Sequence, residues 1–330
     1  MNKPILALVN LPCPAKINWF LHVTGRREDG YHTLQTGFSC LDFGDTLSVQ
    51  YREDNDIVLA TPLAGVADAD HLAVRAAKAM QAAFLARGWF TDFSGKNIKH
   101  QGVTLSLVKR IPQGAGLGGG SSNAASTMLA LNALWGQKEG QKSEQYSDQS
   151  MSAAELAEIG LSLGADVPFF LDGRSSFAQG VGEVLSPVAW PCVPIVLAFP
   201  RVGVATPAVF KSPLLKRDTP VMSLQDLAPH LAWLNAQCND LQPVAETIAP
   251  EIRSILDFMN AQSKKSDLVR MSGSGSSVFA AFDTTGTGLA AANELAQNLL
   301  NTLQYRSLSD TWLTRSLDSN PVHAAILRQI

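Results

Sequence analysis

Residues 111–126 read IPQGAGLGGGSSNAAS, with five glycines in the seven positions from Gly114 to Gly120. Glycine costs conformational entropy wherever it is ordered. One turn accounts for one or two of them, not for five. An apolar pattern of strand character, 103–108, precedes the loop, and a pattern of helical period follows it (Ala124, Met128, Leu131, Trp135). The order strand, glycine loop, helix sets free N–H groups and the positive end of a helix dipole beside a backbone without side chains. That arrangement is suited to phosphate. The plainer alternative is a tight loop that needs positive φ at several positions.

Two phosphate-loop patterns can be compared with it. The pattern GxxxxGK[ST] fails, because no lysine follows the glycines. The dinucleotide pattern GxGxxG matches Gly114, Gly116 and Gly119, but more than 100 residues precede it. No acidic residue ends a second strand about 20 positions on, as that fingerprint requires.

The chain of 330 residues is long enough for about two domains. It is 46% hydrophobic and 17% charged with a net charge of −3, which reads as a soluble globular protein and gives no basic surface for nucleic acid. No apolar run is long enough to span a bilayer, so no membrane partner is expected. The start, MNKPILALVNLPCPAK, has too short an apolar run for a secretory leader. The cysteines Cys13, Cys40, Cys192 and Cys238 are scattered without metal-ligand spacing, and all four are read as buried small hydrophobes. A reducing, cytoplasmic setting is expected.

Along the chain, Ile17, Trp19, Leu21 and Val23 alternate with Lys16, Asn18, Phe20 and His22, the period of a strand with Lys16 and Asn18 on one face. Further strands are expected at 46–51 and 57–60. A helix carrying Leu72, Ala76, Met80, Ala83 and Phe84 is expected to be capped by Asp70 and ended by Gly88. Ser152 and Glu155 form a capping box before Leu156, Ile159 and Leu163, and Gly164 ends that helix. Residues 138–150 read as an exposed polar loop. The Pro-rich stretch 187–207 reads as the seam between an N-terminal domain, 1–186, and a C-terminal domain, 187–330, whose last residues can pack back on the first. Beyond it the pattern predicts helices near 223–236, 241–262 and 288–303, and strands near 268–271, 277–282 and 311–315. The fold class is α+β without a regular βαβ rhythm.

The pattern from Pro112 to Ala124 resembles the phosphate loop of the galactokinase, homoserine kinase, mevalonate kinase and phosphomevalonate kinase superfamily. Pro14-Ala-Lys-Ile-Asn18 with Gly25-x-x-x-Asp29-Gly-Tyr-His-x-Leu34, then Gly164-Ala-Asp-Val-Pro-Phe169 and Gly273-Ser-Gly-Ser-Ser-Val-Phe279, is similar to one branch of it. That branch acts on a cytidine-diphosphate ester of methylerythritol in the non-mevalonate route to isoprenoid precursors. The resemblance runs in order over nearly the whole chain. It departs at Ala115, where the branch often has glycine, and at His71, where an asparagine near the adenine is common.

The resemblance implies a two-domain small-molecule kinase with its active site in the cleft between domains. It implies ATP with Mg2+ as cosubstrate and transfer of phosphate to the 2-hydroxyl of the small-molecule acceptor. Pro112, Gly114, Gly116, Leu117, Gly118, Gly119, Gly120, Ser121 and Ser122 would surround the ATP phosphates. Asp166 is implied as the group that takes the hydroxyl proton, as a carboxylate within hydrogen-bond reach can, with Lys16 favouring the alkoxide and Asn18 orienting it. Read without the resemblance, Asp166 serves equally well to satisfy local backbone N–H groups, and Lys16 to carry a solvated charge. Asp166 also precedes Val167-Pro168, where the residue before proline is expected to be extended. Tyr31 and His32 are implied to hold the cytosine, by stacking and by hydrogen bonds to its edge, with Phe210 as a second stacking ring. Gly273 and Ser274 lie in a small-residue turn implied to reach the substrate. No protein ligand for the metal stands out. Oligomeric state is not readable from the sequence.

Overall fold

The computed structural model describes residues 6–89, 101–136, 150–263, 267–284, 286–302, 307 and 309–330. Two long antiparallel strands, β1 (Ala7–Arg26) and β2 (His32–Arg52), form its spine. Register shifts after Leu8, Pro14, Asn18 and Val23 bend β1, where Pro12 and Pro14 cannot donate to a ladder. β3 (Ile57–Leu59) and β4 (Gly102–Val108) extend the sheet beyond β2. β5 (Ser176–Gln179) and β6 (Val184–Pro187) add a branch, and β7 (Pro194–Phe199), β8 (Leu268–Met271), β9 (Val278–Ala281) and β10 (Asp310–Leu317) continue the other way. The order is β3-β4-β2-β10-β7-β9-β8, and β10 pairs with both β2 and β7, so one sheet runs through the chain.

Helices α1 (Leu72–Ala86), α2 (Gly119–Trp135), α3 (Ala153–Leu163) and α4 (Val167–Asp172) close one core over β1, β2 and β4. A second core joins β7, β8 and β9 to α5 (Thr206–Lys211), α7 (Gln242–Ile248), α8 (Pro250–Gln262) and α9 (Gly286–Asn301). The short α6 (Leu231–Asn235) packs beside an aromatic cluster of Trp19, Phe20, Phe177, Trp190 and Phe279. Val322, Ala325 and Ile326 of the final helix, α10 (Val322–Leu327), return to the first core.

The α+β class is the observed one, and the sheet excludes the dinucleotide reading: of the named pairings only β3 with β4 is parallel. Three local expectations are corrected. Asp70 does not cap α1. It ends a short 3-10 turn, Asp68–Asp70, and His71 is the N-cap, its Nδ1 accepting from the Ala73 N–H at 3.2 Å. Asp166 and Val167 are not extended: Asp166 has helical angles (φ −82, ψ −13) and Pro168 lies in the first turn of α4. Proline is tolerated there because its missing N–H would be unpaired in any case. The helix expected over 241–262 breaks into α7 and α8 at Ala249, whose angles (φ −132, ψ 88) are not helical, the α region being disfavoured before a proline. The segment near 223–236 holds only the 3-10 turn Leu224–Asp226 and α6. Of the cysteines, Cys13 and Cys40 are buried, with burial pushing Cys13 up to about 12, whereas Cys192 and Cys238 are exposed. The polar loop at 138–150 lies outside the described residues except for Ser150.

Candidate active site

The glycine loop leads from β4 into α2, and Gly118 (φ 70, ψ 17) is the N-cap of that helix. Gly114 and Gly116 also have positive φ, 66° and 73°. A Cβ on Gly116 would stand 2.6 Å from the Ser272 carbonyl oxygen and 2.7 Å from that of Gly275. One on Gly118 would meet Phe170 at 2.9 Å and the Lys16 side chain at 3.0 Å, and one on Gly119 would meet Ile111 at 2.9 Å. Protein neighbours alone therefore require glycine at three positions of the loop.

Those neighbours lock three segments together. Lys16 N–H donates to Leu117 O at 2.9 Å, Ser277 N–H to Ala115 O at 3.1 Å, and Ser272 Oγ to Gly116 O at 3.3 Å. Asn18 N–H donates to Ser272 Oγ at 3.2 Å. The loop, β1 and the turn before β9 thus form one wall.

In that wall Lys16 is buried, and its Nζ lies 3.4 Å from Asp166 Oδ2. The ammonium also donates to Asn18 Oδ1 at 2.7 Å and sits 4.7 Å above the Phe38 ring. Asn18 is oriented in turn by donating from Nδ2 to Thr36 Oγ1 at 2.8 Å. The Asp166 carboxylate makes no cap bond to α4, and its side chain is 32% exposed. It is part-exposed and paired with a lysine instead of capping its own helix. A Cβ on Gly273 would come within 3.2 Å of Asn18 Oδ1 and 3.7 Å of Lys16 Nζ, so the turn also reaches this pair. Ser274 Oγ is 2.7 Å from Thr206 Oγ1.

At the far end of the β1–β2 hairpin, Gly30 turns the chain with φ 87° and Tyr31 N–H donates to Asp29 Oδ1 at 3.0 Å. The Tyr31 side chain is 65% exposed, so it is not a packed turn residue. His32 is buried, its ring 5.1 Å from that of Phe210 at 32°. Burial first, then the cations of Arg217 and Arg26, hold the imidazole below its ordinary pKa. His32 and Phe210 therefore meet, with Tyr31 next to His32 in the chain and open to solvent.

The loop also walls an open cleft of about 360 Å³, lined by Pro112 to Gly120 and by Leu63, Val66, His71, Leu72 and Lys109. Ser121 and Ser122 do not line it. Ser122 is fully buried with its hydroxyl unpartnered among the described residues. Leu117 is also buried, its side chain packed in the aromatic core. The entry to the loop is held by Asp45, whose buried carboxylate accepts from Lys109 Nζ, Arg110 N–H (2.7 Å), Ile111 N–H (2.8 Å) and Asn123 Nδ2 (2.9 Å). Burial and the Lys109 ammonium keep His71 below the ordinary imidazole value, which suits a cap that must accept a hydrogen bond.

Asp45, Lys109, Thr36, Ser272 and Arg217 escaped the sequence reading. Each has a partner tens to hundreds of positions away, and no local pattern marks them. Among the described residues, no group of three or more His, Cys, Asp or Glu side chains could hold a metal ion, and no helix is long and apolar enough to cross a membrane.

The geometry is that of a small-molecule kinase, and the comparisons agree. Residues 71–174 match the GHMP kinases N terminal domain and residues 214–301 the GHMP kinases C terminal domain. The chain belongs to the GHMP kinases. It is 43% identical over 289 residues to a 4-diphosphocytidyl-2-C-methyl-D-erythritol kinase of Polaromonas sp., covering 84% of each chain. A solved 4-(cytidine 5'-diphospho)-2C-methyl-D-erythritol kinase is 34% identical with a TM-score of 0.66, covering 92% of this chain and 98% of the other. The homoserine kinase of Cytophaga hutchinsonii shares the fold (TM-score 0.65, 97% of each chain) at 14% identity.

Proposed function

We propose that this chain transfers the γ-phosphoryl group of ATP to the 2-hydroxyl of 4-diphosphocytidyl-2-C-methyl-D-erythritol, a step in the non-mevalonate route to isoprenoid precursors. The observation that carries the chemistry is the Lys16–Asp166 pair, 3.4 Å apart beside the glycine loop, with the carboxylate uncommitted to its own helix. The acceptor hydroxyl donates to Asp166, which takes its proton as the oxygen bonds to the γ-phosphorus. The bond from that phosphorus to the β,γ-bridging oxygen breaks, and ADP leaves. Lys16 favours the developing alkoxide, and its hydrogen bond to Asn18 fixes where the ammonium points. Positioning and charge stabilisation are what such a transfer needs.

ATP would lie in the cleft with its phosphates against Gly114, Gly116, Gly118, Gly119 and Gly120 and the N-terminus of α2, and its base between Leu63, Val66, His71 and Leu72. Mg2+ would arrive with ATP. It would be held chiefly by phosphate and water oxygens, with the loop's backbone N–H groups facing phosphate and not the metal. Tyr31, His32 and Phe210 would hold the cytosine, the first and last by their faces. Gly273 and Ser274 would border the acceptor, residues 1–186 form the ATP half and 187–330 the substrate-side half, in a cytoplasmic setting.

The test is ADP release with Mg-ATP, with and without this acceptor, beside Asp166→Asn. Release that needs the acceptor and collapses in the variant supports the reading. Release driven by homoserine or mevalonate, with none from the cytidine ester, overturns the substrate and leaves the kinase.

A further inference from the structure

We propose that Arg217 is a positioning residue that fixes the proton of His32 on Nδ1, and that this tautomer makes the site accept cytosine and refuse uracil. The inference rests on the acceptor proposed above. Arg217 Nε–H donates to His32 Nε2 at 3.0 Å. A guanidinium only donates, so Nε2 must offer its lone pair and the single ring proton sits on Nδ1. Arg217 is itself clamped: Nη1 donates to Leu215 O at 2.9 Å, and Nη2 to Ser212 O at 2.7 Å and Phe210 O at 3.2 Å. The same group thereby ties α5, with the Phe210 ring, to the first residue of β2.

Three further observations fit a working donor. Arg217 faces neutral acceptors, and no carboxylate lies within ion-pair distance of it among the described residues. The charged groups acting on His32 are Arg217, from the segment after α5, and Arg26, from β1, while α5 contributes only the Phe210 ring. Both cations and burial oppose a second proton, so the ring stays neutral. Its Nδ1 makes no hydrogen bond among the described residues and is not sealed from solvent, since it is absent from the buried unpartnered atoms. Cytosine offers acceptors at N3 and O2, whereas uracil has a hydrogen on N3. Both bases keep the O2 acceptor, so the discrimination lies in Nδ1–H meeting N3, an acceptor in cytosine and a donor in uracil; buried mismatched donors are what give a site its discrimination.

The test has two arms. In the unliganded protein, 15N-edited histidine spectra of the wild type are expected to show His32 as the Nδ1–H form from pH 6 to 8. Arg217→Met is expected to show a mixture of tautomers that takes its second proton at a higher pH than the wild type, with burial and Arg26 still opposing it. In steady-state kinetics, Arg217→Met is expected to raise KM for the cytidine ester about tenfold at pH 8, the scale of one hydrogen bond. The values of kcat and of KM for ATP hold. The deficit relative to wild type shrinks at pH 6, because protonation puts a hydrogen back on Nδ1. Arg217→Lys, which keeps a cation and a donor, recovers part of the loss and stands in should the methionine variant fail to fold. The uridine analogue gains relative to the cytidine ester in Arg217→Met. A wild-type proton on Nε2, a deficit equal at both pH values, or kcat falling together with kcat/KM would overturn the proposal. The spectra need no substrate. If they behave as expected while the wild type ignores the cytidine ester, the acceptor assignment fails and the hold of Arg217 on His32 stands.

Discussion

Replacing Gly116 by alanine is expected to destabilise the protein before any ligand is added. Gly116 sits at φ 73°, a conformation that costs another residue about 1–2 kcal/mol. The new Cβ would also stand 2.6 Å and 2.7 Å from the carbonyl oxygens of Ser272 and Gly275. Those groups cannot swing aside. Ser272 O accepts from Gly275 N–H at 3.0 Å, and Ser277 N–H holds Ala115 O at 3.1 Å. The loop must lift from the turn, an overpacking that costs about 1–3 kcal/mol. Together this is about 2–5 kcal/mol, or roughly 3–7 °C in Tm for a chain of this length. Gly120→Ala is the control. Gly120 lies in α2 and the added Cβ would meet only the end of Leu72, at 3.0 Å. Alanine gains up to about 1 kcal/mol over glycine in a helix, which offsets the contact, so Tm should move by about 2 °C at most. The assay is differential scanning calorimetry of both variants without nucleotide, repeated with ATP. If Gly116→Ala melts with the wild type and loses only its ATP protection, packing against the turn is not why this glycine is there.

Asp166→Asn should lower kcat by about 10²–10⁴-fold while calorimetric ATP binding holds; near-normal kcat would remove Asp166 as the proton acceptor. Asp45→Ala strips the partner from the Lys109 ammonium, the Asn123 amide and two backbone N–H groups, and should cost about 3–5 kcal/mol in urea unfolding. A loss under about 1 kcal/mol would show that Asp45 does not organise the loop entry. His22, His32, His71 and His323 all titrate below the ordinary imidazole value, each chiefly through burial. Because the folded protein disfavours their protonation, their contribution is complete above about pH 6.5. It is lost as pH falls through each native value. His71→Asn keeps a side-chain cap for α1 and should flatten the fall in Tm between pH 7.5 and 5; an unchanged slope would exclude His71 from it.

What could be read from the sequence was local. Glycines at 114, 116 and 118 declare backbone angles that other residues avoid, and the Ser152–Glu155 capping box declares a helix start, so both are found where expected. The strands β5, β6 and β7 were not seen. β5 and β7 are buried almost throughout, so neither shows an alternating face, and β6 is four residues long and ends in a proline. The same limit applied to the site. Spacing alone could not say that Lys16 and Asp166 meet across 150 positions of chain, and only the likeness to a kinase superfamily joined them. It could not reveal Arg217 or Asp45, because a positioning residue is defined by the partners the fold brings to it. Even the glycine loop was half read. Its glycines read as room for phosphate, yet those at 116, 118 and 119 are already required by the Ser272–Gly275 turn, Phe170 and Ile111. A loop pressed so closely between two parts of the chain has little freedom left to lose, so the packing that excludes side chains also holds in place the backbone that lines the cleft.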